Sequence, residues 1–462
     1  MFSKETYLKR RAKLRESVGS GLILLLGNND SPMNYFDNIF HFRQDSTFLY
    51  FFGMNHPFMA GTLDCESGED FIYGNDLTVE DFVWMGPQPT IAEQAVAFGV
   101  SKTADLEALQ LKLSEAVKAG RKIHFLPPYR YENKIKLYEW LGVEPKDQAA
   151  QASVTLINGV VNQRNYKSAE EVQLLHHAAD VSVDMHTMAM RMAKPGVTEA
   201  QIAAAVQQVA VADGGQTSFP IIATINGQTL HNHYHGNTLK DGDMFLLDAG
   251  AELVSGYCAD LSSTVPVNGK FTDLQREIYN ITLDSHNKAI DMLKPGIPFK
   301  EVYFESARVI VRGLQSMGLM KGNVDDAVAN GAHALFFPCG LGHMMGLDVH
   351  DMEDLGEVYV GYGGEPKSTQ FGLKSLRLGR NLEPGFVLTI EPGIYFIPEL
   401  IDQWKAKNHN AEFLNFDKIE KFKDFGGIRN EEDFLITETG YELLGKPKPK
   451  SIEDVEAEWA KG

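Results

Sequence analysis

The chain has 462 residues, 44% of them hydrophobic and 23% charged, with a formal net charge of -19. Such proportions describe a folded protein long enough for a sizeable core, in two or three domains. The negative balance repels phosphate backbones and anionic lipid, which argues against nucleic acid and membrane surfaces as partners.

The start, MFSKETYLKRRAKLRESV, is too charged for a signal peptide. The longest strongly apolar run, GLILLLG from Gly21 to Gly27, is far short of the roughly 20 residues that a membrane helix needs. Cys65, Cys258 and Cys339 are scattered and odd in number, which suits a reducing compartment rather than a disulfide framework. A cytoplasmic location is the expectation. GLILLLG, STFLYFFGM (Ser46 to Met54) and KIHFLPP (Lys122 to Pro128) read as short β-rich runs, and a helix is predicted over Ala104 to Ala119, ended by Gly120. This is an α/β domain. The clearest restart is Ser168, which with Glu171 has capping-box spacing ahead of a long helix to about Ala193. The junction is placed near residue 166, giving domains 1–165 and 166–462.

The second domain repeats itself. LKDGDMFLLDAG (Leu239 to Gly250) and LEPGFVLTIEPG (Leu382 to Gly393) align Leu with Leu, Gly242 with Gly385, Asp248 with Glu391, and Gly250 with Gly393. KPGVTEAQIAAAV from Lys194 and KPGIPFKEVYFES from Lys294 both set Pro-Gly between two predicted helices. Gly256 precedes Asp260 as Gly427 precedes Glu431, each leading into a strand-like stretch. Two duplicated halves is the simplest reading; turn dipeptides do recur by chance, but three aligned pairs are hard to attribute to that.

MFLLDAG and VLTIEPG look like buried strands, and an acid at the end of a buried strand loses its hydration unless a cation or a donor replaces it. If the halves pack face to face, Asp248, Asp260, Glu391 and Glu431 converge, a concentration of charge that calls for metal ions. Two divalent ions about 3.5 Å apart and sharing one water would balance it. FPCGLGHMMGLDVHD (Phe336 to Asp351) offers two imidazoles, His343 for a metal and His350 for the substrate. A mostly oxygen ligand set favours Mn2+, with Co2+, Fe2+ or Zn2+ as alternatives.

DAG…D, GLGH, TIEPG and GIRNE together resemble the pita-bread metallopeptidases, the group of methionine aminopeptidase, aminopeptidase P, prolidase and creatinase. The likeness covers nearly the whole chain. FRQDSTFLYFFG (Phe42 to Gly53) is similar to the amino-terminal domain of aminopeptidase P and prolidase, which methionine aminopeptidase lacks. The implied fold is α/β (α+β), an amino-terminal creatinase/prolidase-type α/β domain followed by a pita-bread catalytic domain with duplicated halves. By this resemblance Asp248, Asp260, His343, Glu391 and Glu431 hold two metals, with Asp260 and Glu431 bridging. GLGHMMGLDVHD, LKSLRLGRNLEPGFVLTIEPGIYFIPELID and FGGIRNEEDFLIT bring the chain nearest to the prolidase branch, which implies cleavage of the Xaa-Pro bond, chiefly in dipeptides. Aminopeptidase P action on longer peptides is the alternative. A metal-free binding protein and a creatinase-like amidinohydrolase are further readings, but such proteins lack the intact quintet.

The same resemblance gives Arg377, in SLR, the free carboxylate of a dipeptide, a task suited to a bidentate guanidinium. Glu391 would shuttle a proton to the leaving proline nitrogen, and His350 would support the carbonyl or oxyanion. In HNHYHGN, His233 is assigned to substrate, whereas His231 and His235 are assigned to structure or solvent. Arg429 is either a brace behind Glu431 or a substrate contact. A homodimer is the family expectation, with a small peptide bearing proline at its second position as partner. Three departures stand out: the Asp248-to-Asp260 interval is one residue longer than usual, Cys339 replaces the histidine of HGLGH, and Asn430 replaces an apolar residue. The turn is expected to absorb the extra residue, since a slip inside a strand would reverse side-chain direction.

Overall fold

The computed structural model describes residues 2–462. The chain divides into two units, residues 1–164 with 352–359, and residues 165–351 with 360–462.

In the first unit, five strands stand in the order Lys102–Ala104, Asp70–Tyr73, Ala60–Asp64, Leu22–Leu26, Ile123–His124. The three central strands are antiparallel to their neighbours in that trio, while the two outer strands run parallel to theirs. GLILLLG is a strand, as its apolar run suggests, with Leu22 to Leu25 buried. The helix read at Ala104 to Ala119 is Leu106–Lys118, started by the Asp105 side chain on the Ala108 N–H. STFLYFFGM corrects the strand reading, because Ser46–Phe52 is an α-helix. Its aromatic content favours strand, but Asp45 caps the Phe48 N–H at 2.8 Å and Gly53 ends it in the left-handed region. Six of its residues are buried, so no polar face marked the helical period. Of KIHFLPP only Ile123–His124 is strand, since Pro127 and Pro128 cannot donate to a ladder.

The second unit begins with the predicted long helix, Ala169–Met192, whose capping box is complete: the Ser168 hydroxyl accepts from Glu171 N–H and the Glu171 carboxylate accepts from Ser168 N–H. Such a cap contributes about 1 kcal/mol. Each half of this unit then follows one plan, two helices around a Pro-Gly turn and an antiparallel strand pair. In the first half the helices are Ala169–Met192 and Glu199–Ala212, and the strands are Met244–Ala249 and Leu261–Pro266, with Ile222–Thr224 at the sheet edge. In the second they are Asp273–Asp291 and Phe299–Ser316, then Val387–Ile390 and Glu432–Ile436, with Tyr441–Leu443 at the edge. Phe245 and Val387 are fully buried, as expected of strands whose apolar side chains each contribute about 1.5–3 kcal/mol on burial.

The first strand pair is unbroken from Ala249↔Leu261 to Met244↔Pro266. The extra residue between Asp248 and Asp260 therefore lies outside the ladder, in the connection that contains the short strand Ala251–Glu252 and a turn closed by Gly256 N–H on the Leu253 carbonyl. The connection is tight at Gly250, where a Cβ would lie 1.7 Å from the Ala259 carbonyl oxygen. The halves are joined by the antiparallel bridge Ser262↔Glu431, beside which Arg429 N–H donates to the Thr264 hydroxyl and Asp260 N–H to the Asp433 carboxylate.

Candidate metal centre

The strand plan brings the four acids to one place. Asp248 is the next-to-last residue of Met244–Ala249, and Asp260 immediately precedes Leu261–Pro266. Glu391 immediately follows Val387–Ile390, and Glu431 immediately precedes Glu432–Ile436. His343 arrives from a segment pressed against the second half. Its N–H donates to the Thr389 hydroxyl at 3.2 Å and its carbonyl accepts from Thr389 N–H at 3.1 Å. Only glycine fits before it, because a Cβ on Gly342 would lie 2.0 Å from the Thr389 carbonyl oxygen.

Three sets of donor atoms lie within 4.8 Å of one another: Asp248, Asp260 and Glu431; His343, Glu391 and Glu431; and Asp260, His343 and His350. Asp260, His343 and Glu431 each belong to two sets. The His343 ring donates from Nδ1 to the Met344 carbonyl at 3.0 Å, which leaves the Nε2 lone pair facing Asp260 at 3.4 Å and Glu391 at 3.7 Å. Burial, reinforced by the neighbouring His350, holds His343 well below the ordinary histidine range, so it is the neutral form that a metal requires.

Two of the acids keep a buried carboxylate oxygen open to a cation. Asp248 Oδ1 and Asp260 Oδ1 are buried and accept no hydrogen bond. Burial first, then Glu431 and Asp248, push Asp260 well above the usual carboxylate range. Glu431 is raised by burial and by Glu391. Glu391 is raised less, by burial that Arg429, Arg377 and His350 oppose. Carboxylates so crowded protonate unless cations neutralise them. Asp248, Asp260, His343, Glu391 and Glu431 therefore form overlapping groups that could hold divalent ions.

A cavity of about 250 Å³ opens onto these groups. Arg377, His350, Cys339, His233 and Arg429 line it, as do His231 and the apolar side chains Phe219, Pro220, Ile222 and Leu230. Apart from Ile222, the apolar wall escaped the sequence reading because it comes from the connection before the strand Ile222–Thr224 and the loop after it, where nothing periodic marks it. His231 was assigned to structure or solvent, yet it lines the cavity beside His233; His235 turns away, bonded through Nε2 to the Ile221 carbonyl at 3.0 Å. Burial pushes the Cys339 thiol up to about 12, with Glu391 adding to the rise. It is thus a neutral thiol near neutral pH.

Arg429 is 3% exposed and its guanidinium is engaged on three sides: Nη2 on the Asp248 carboxylate, Nε on the Ser262 hydroxyl at 2.8 Å, and Nη1 on the Tyr395 hydroxyl at 2.9 Å. Ser262 in turn donates to Glu431 at 2.7 Å. Ser262, Thr389 and Tyr395 were not singled out from sequence. The available signal was a run of hydroxyl residues in an otherwise buried strand, LSSTVP, and a tyrosine shortly after Glu391.

Comparison with known proteins agrees with this geometry. Residues 173–438 match metallopeptidase family M24, and residues 7–124 match the aminopeptidase P N-terminal domain. The chain is 31% identical to the Xaa-Pro dipeptidase of Rattus norvegicus, covering 97% of this chain and 91% of that protein. It is 32% identical to the Xaa-Pro aminopeptidase of Escherichia coli K12, covering 98% and 97%. The solved structure of proline aminopeptidase P II from Yersinia pestis superposes with a TM-score of 0.82 at 28% identity, covering 100% of both chains. That of zinc-substituted E. coli aminopeptidase P in complex with product gives 0.80 at 28% identity, covering 100% and 99%. No helix among the described residues is long and apolar enough to cross a membrane. With matching family models over both units and ligand-capable residues from both halves around one cavity, the chain belongs to metallopeptidase family M24 and is a metallopeptidase with an aminopeptidase P-type amino-terminal domain.

Proposed function

We propose that the protein is an Xaa-Pro dipeptidase, with two divalent ions, Mn2+ foremost, held by Asp248, Asp260, His343, Glu391 and Glu431. The observation that carries this reading is the presence of Arg377 in the wall of the cavity onto which those five groups open. When bound, the ions supply Lewis acidity toward the scissile carbonyl and a water acidic enough to attack near neutral pH.

The chain's own side chains do the rest. Arg377 receives the substrate's free carboxylate through two parallel N–H donors, which fixes the end of a dipeptide close to the scissile bond. Glu391, whose side chain is 19% exposed, takes the proton of the attacking water and passes it to the proline nitrogen as the C–N bond breaks. His350, its ring 4.2 Å from that of His343, supports the carbonyl oxygen as negative charge grows there. His233, at the exposed side of the cavity, contacts the substrate. Arg429 is a brace, since its nitrogens are already directed to Asp248, Ser262 and Tyr395. Phe219, Pro220 and Leu230 give the residue before proline, or the proline ring, an apolar surface.

A second reading, an Xaa-Pro aminopeptidase acting on longer peptides, is favoured by the whole-chain superposition on aminopeptidase P structures. Hydrolysis of Ala-Pro beside Ala-Pro-Ala, by the Mn2+-loaded enzyme, separates the two. Faster turnover of the dipeptide is expected; preferred cleavage of the tripeptide would replace the first reading with the second.

A further inference from the structure

Behind the acids lies a set of buried polar groups that hydrolysis does not use. DMHTMAMRMAKPG and DSHNKAIDMLKPG place His186 and His286 at the same offset before their Pro-Gly turns. Both histidines are fully buried in the first helix of their half. His186 Nε2 donates to the Ala249 carbonyl at 3.0 Å, so Nδ1 is left to accept from the Ser263 hydroxyl at 2.9 Å. Ser263 Oγ accepts from the Lys448 ammonium at 3.0 Å, and the same ammonium donates to the Ser262 carbonyl. That carbonyl also receives Glu431 N–H at 3.1 Å. In the other half, Lys450 pairs with Glu432, whose carboxylate lies 3.8 Å from His286 Nε2. The Lys450 carbonyl accepts from the Tyr279 hydroxyl at 2.9 Å.

Lys448 and Lys450 come from one segment, Lys446 to Lys450, in which lysine alternates with proline. Pro447 and Pro449 offer no N–H to a ladder, so between Lys446 N–H on Asp180 and the Lys450 carbonyl on Tyr279 it is the buried Lys448 side chain that attaches the segment. Burying an ammonium is costly unless it is fully bonded, and Lys448 is 4% exposed. Its donors meet the Ser262 and Ser263 oxygens on the strand that faces Asp248 on one side and Glu431 on the other.

We propose that this segment is a clasp across the two halves, in which Lys448 is a positioning residue that sets the separation of Asp248, Asp260 and Glu431 through Ser262 and the Ser263–His186–Ala249 chain. The effect is on cation affinity, and the inference rests on the assignment of those acids as cation ligands. Groups that orient metal ligands from behind typically carry 10–100-fold in affinity.

The test titrates the metal-free full chain with Mn2+ by calorimetry and follows thermal unfolding with and without Mn2+. Lys448→Met is expected to raise the Mn2+ dissociation constant about tenfold or more. Lys446→Met, whose partner Asp184 is exposed, is expected to leave it within about twofold. A Lys448→Met protein that melts earlier but binds Mn2+ as the wild type does would reduce Lys448 to a structural lysine and overturn the proposal. Should Lys448→Met not fold, Ser263→Ala breaks the same chain and is expected to weaken Mn2+ binding severalfold, with unchanged affinity again overturning it. A wild-type chain that binds no Mn2+ would instead overturn the ligand assignment on which the clasp depends.

Discussion

In the first half of the catalytic unit, Gly196 N–H donates to the Leu239 carbonyl and Leu239 N–H to Val197. In the second, Gly296 donates to Leu382 and Leu382 to Ile297, with distances that agree within 0.1 Å between the halves, 2.9 against 2.8 Å. The frame has been kept to the level of single hydrogen bonds, while the chemistry on it has diverged. The first half contributes an aspartate, Asp248, at the place where the second contributes the longer glutamate, Glu391. The first half holds its buried histidine, His186, in two hydrogen bonds; the ring nitrogens of His286 reach no partner with full hydrogen-bond geometry, though Ile390, Asn287 and, at 3.8 Å, Glu432 lie beside it. Duplication therefore supplies four carboxylate positions, and each half then adapts side-chain length and backing separately.

The comparison can be broken most severely at the residue that joins both halves. Glu431→Ala is expected to lower kcat about 10³-fold and to reduce Mn2+ stoichiometry, measured by elemental analysis after dialysis; near-normal turnover would mean the halves do not share that ligand. Metal removal tests whether cations are what reconciles the acids. In the metal-free protein Asp260 and Glu431 are held above the usual carboxylate range, so the stability they contribute is present below about pH 4 and lost as pH rises through their raised values. Chelated protein should therefore melt at progressively lower temperature as pH rises above about pH 4, and the gap to Mn2+-loaded protein should widen, with each bound ion contributing about 2.7 kcal/mol at a hundredfold excess over its Kd. A gap that narrows with pH would refute the electrostatic account.

Arg377→Ala is expected to raise KM for Ala-Pro about tenfold to a hundredfold, since a charged hydrogen bond is worth about 1.5–3 kcal/mol, with metal content unchanged. Unaltered KM would remove Arg377 from substrate binding. The smallest effect sharpens the contrast between the two histidines. His186→Leu should cost about 1–3 kcal/mol by denaturant unfolding, because Ser263 and the Ala249 carbonyl lose their partner, whereas His286→Leu should cost less, having no well-formed hydrogen bond to lose. Equal costs would make the two positions equivalent after all.

The duplicated frame was legible in sequence because acids at the ends of apolar runs, Pro-Gly turns and paired glycines are local signals. The helix Ser46–Phe52 was not, since its aromatic residues are buried on nearly every side and its start depends on one aspartate cap. The cavity's apolar wall and His231 come from irregular connections, where neither period nor spacing points inward. Lys448 was invisible for a different reason. A lysine in a proline-rich stretch reads as solvated chain, and only the fold carries it to within bonding distance of residues 185 and 186 positions earlier.

The hydroxyl of Ser262 and the carboxylate of Glu431 are separated by 169 positions along the chain. Each strand pair closes a shorter loop than this and can form beside its own helices, so the seam between them is expected among the last contacts made. A nascent polypeptide would then carry two half-sites, each with two acids and too little charge density to retain an ion. On the proposed ligand assignment, metal capture would be the step that fastens the finished fold, and starvation for the ions would first be felt as loosening along that seam.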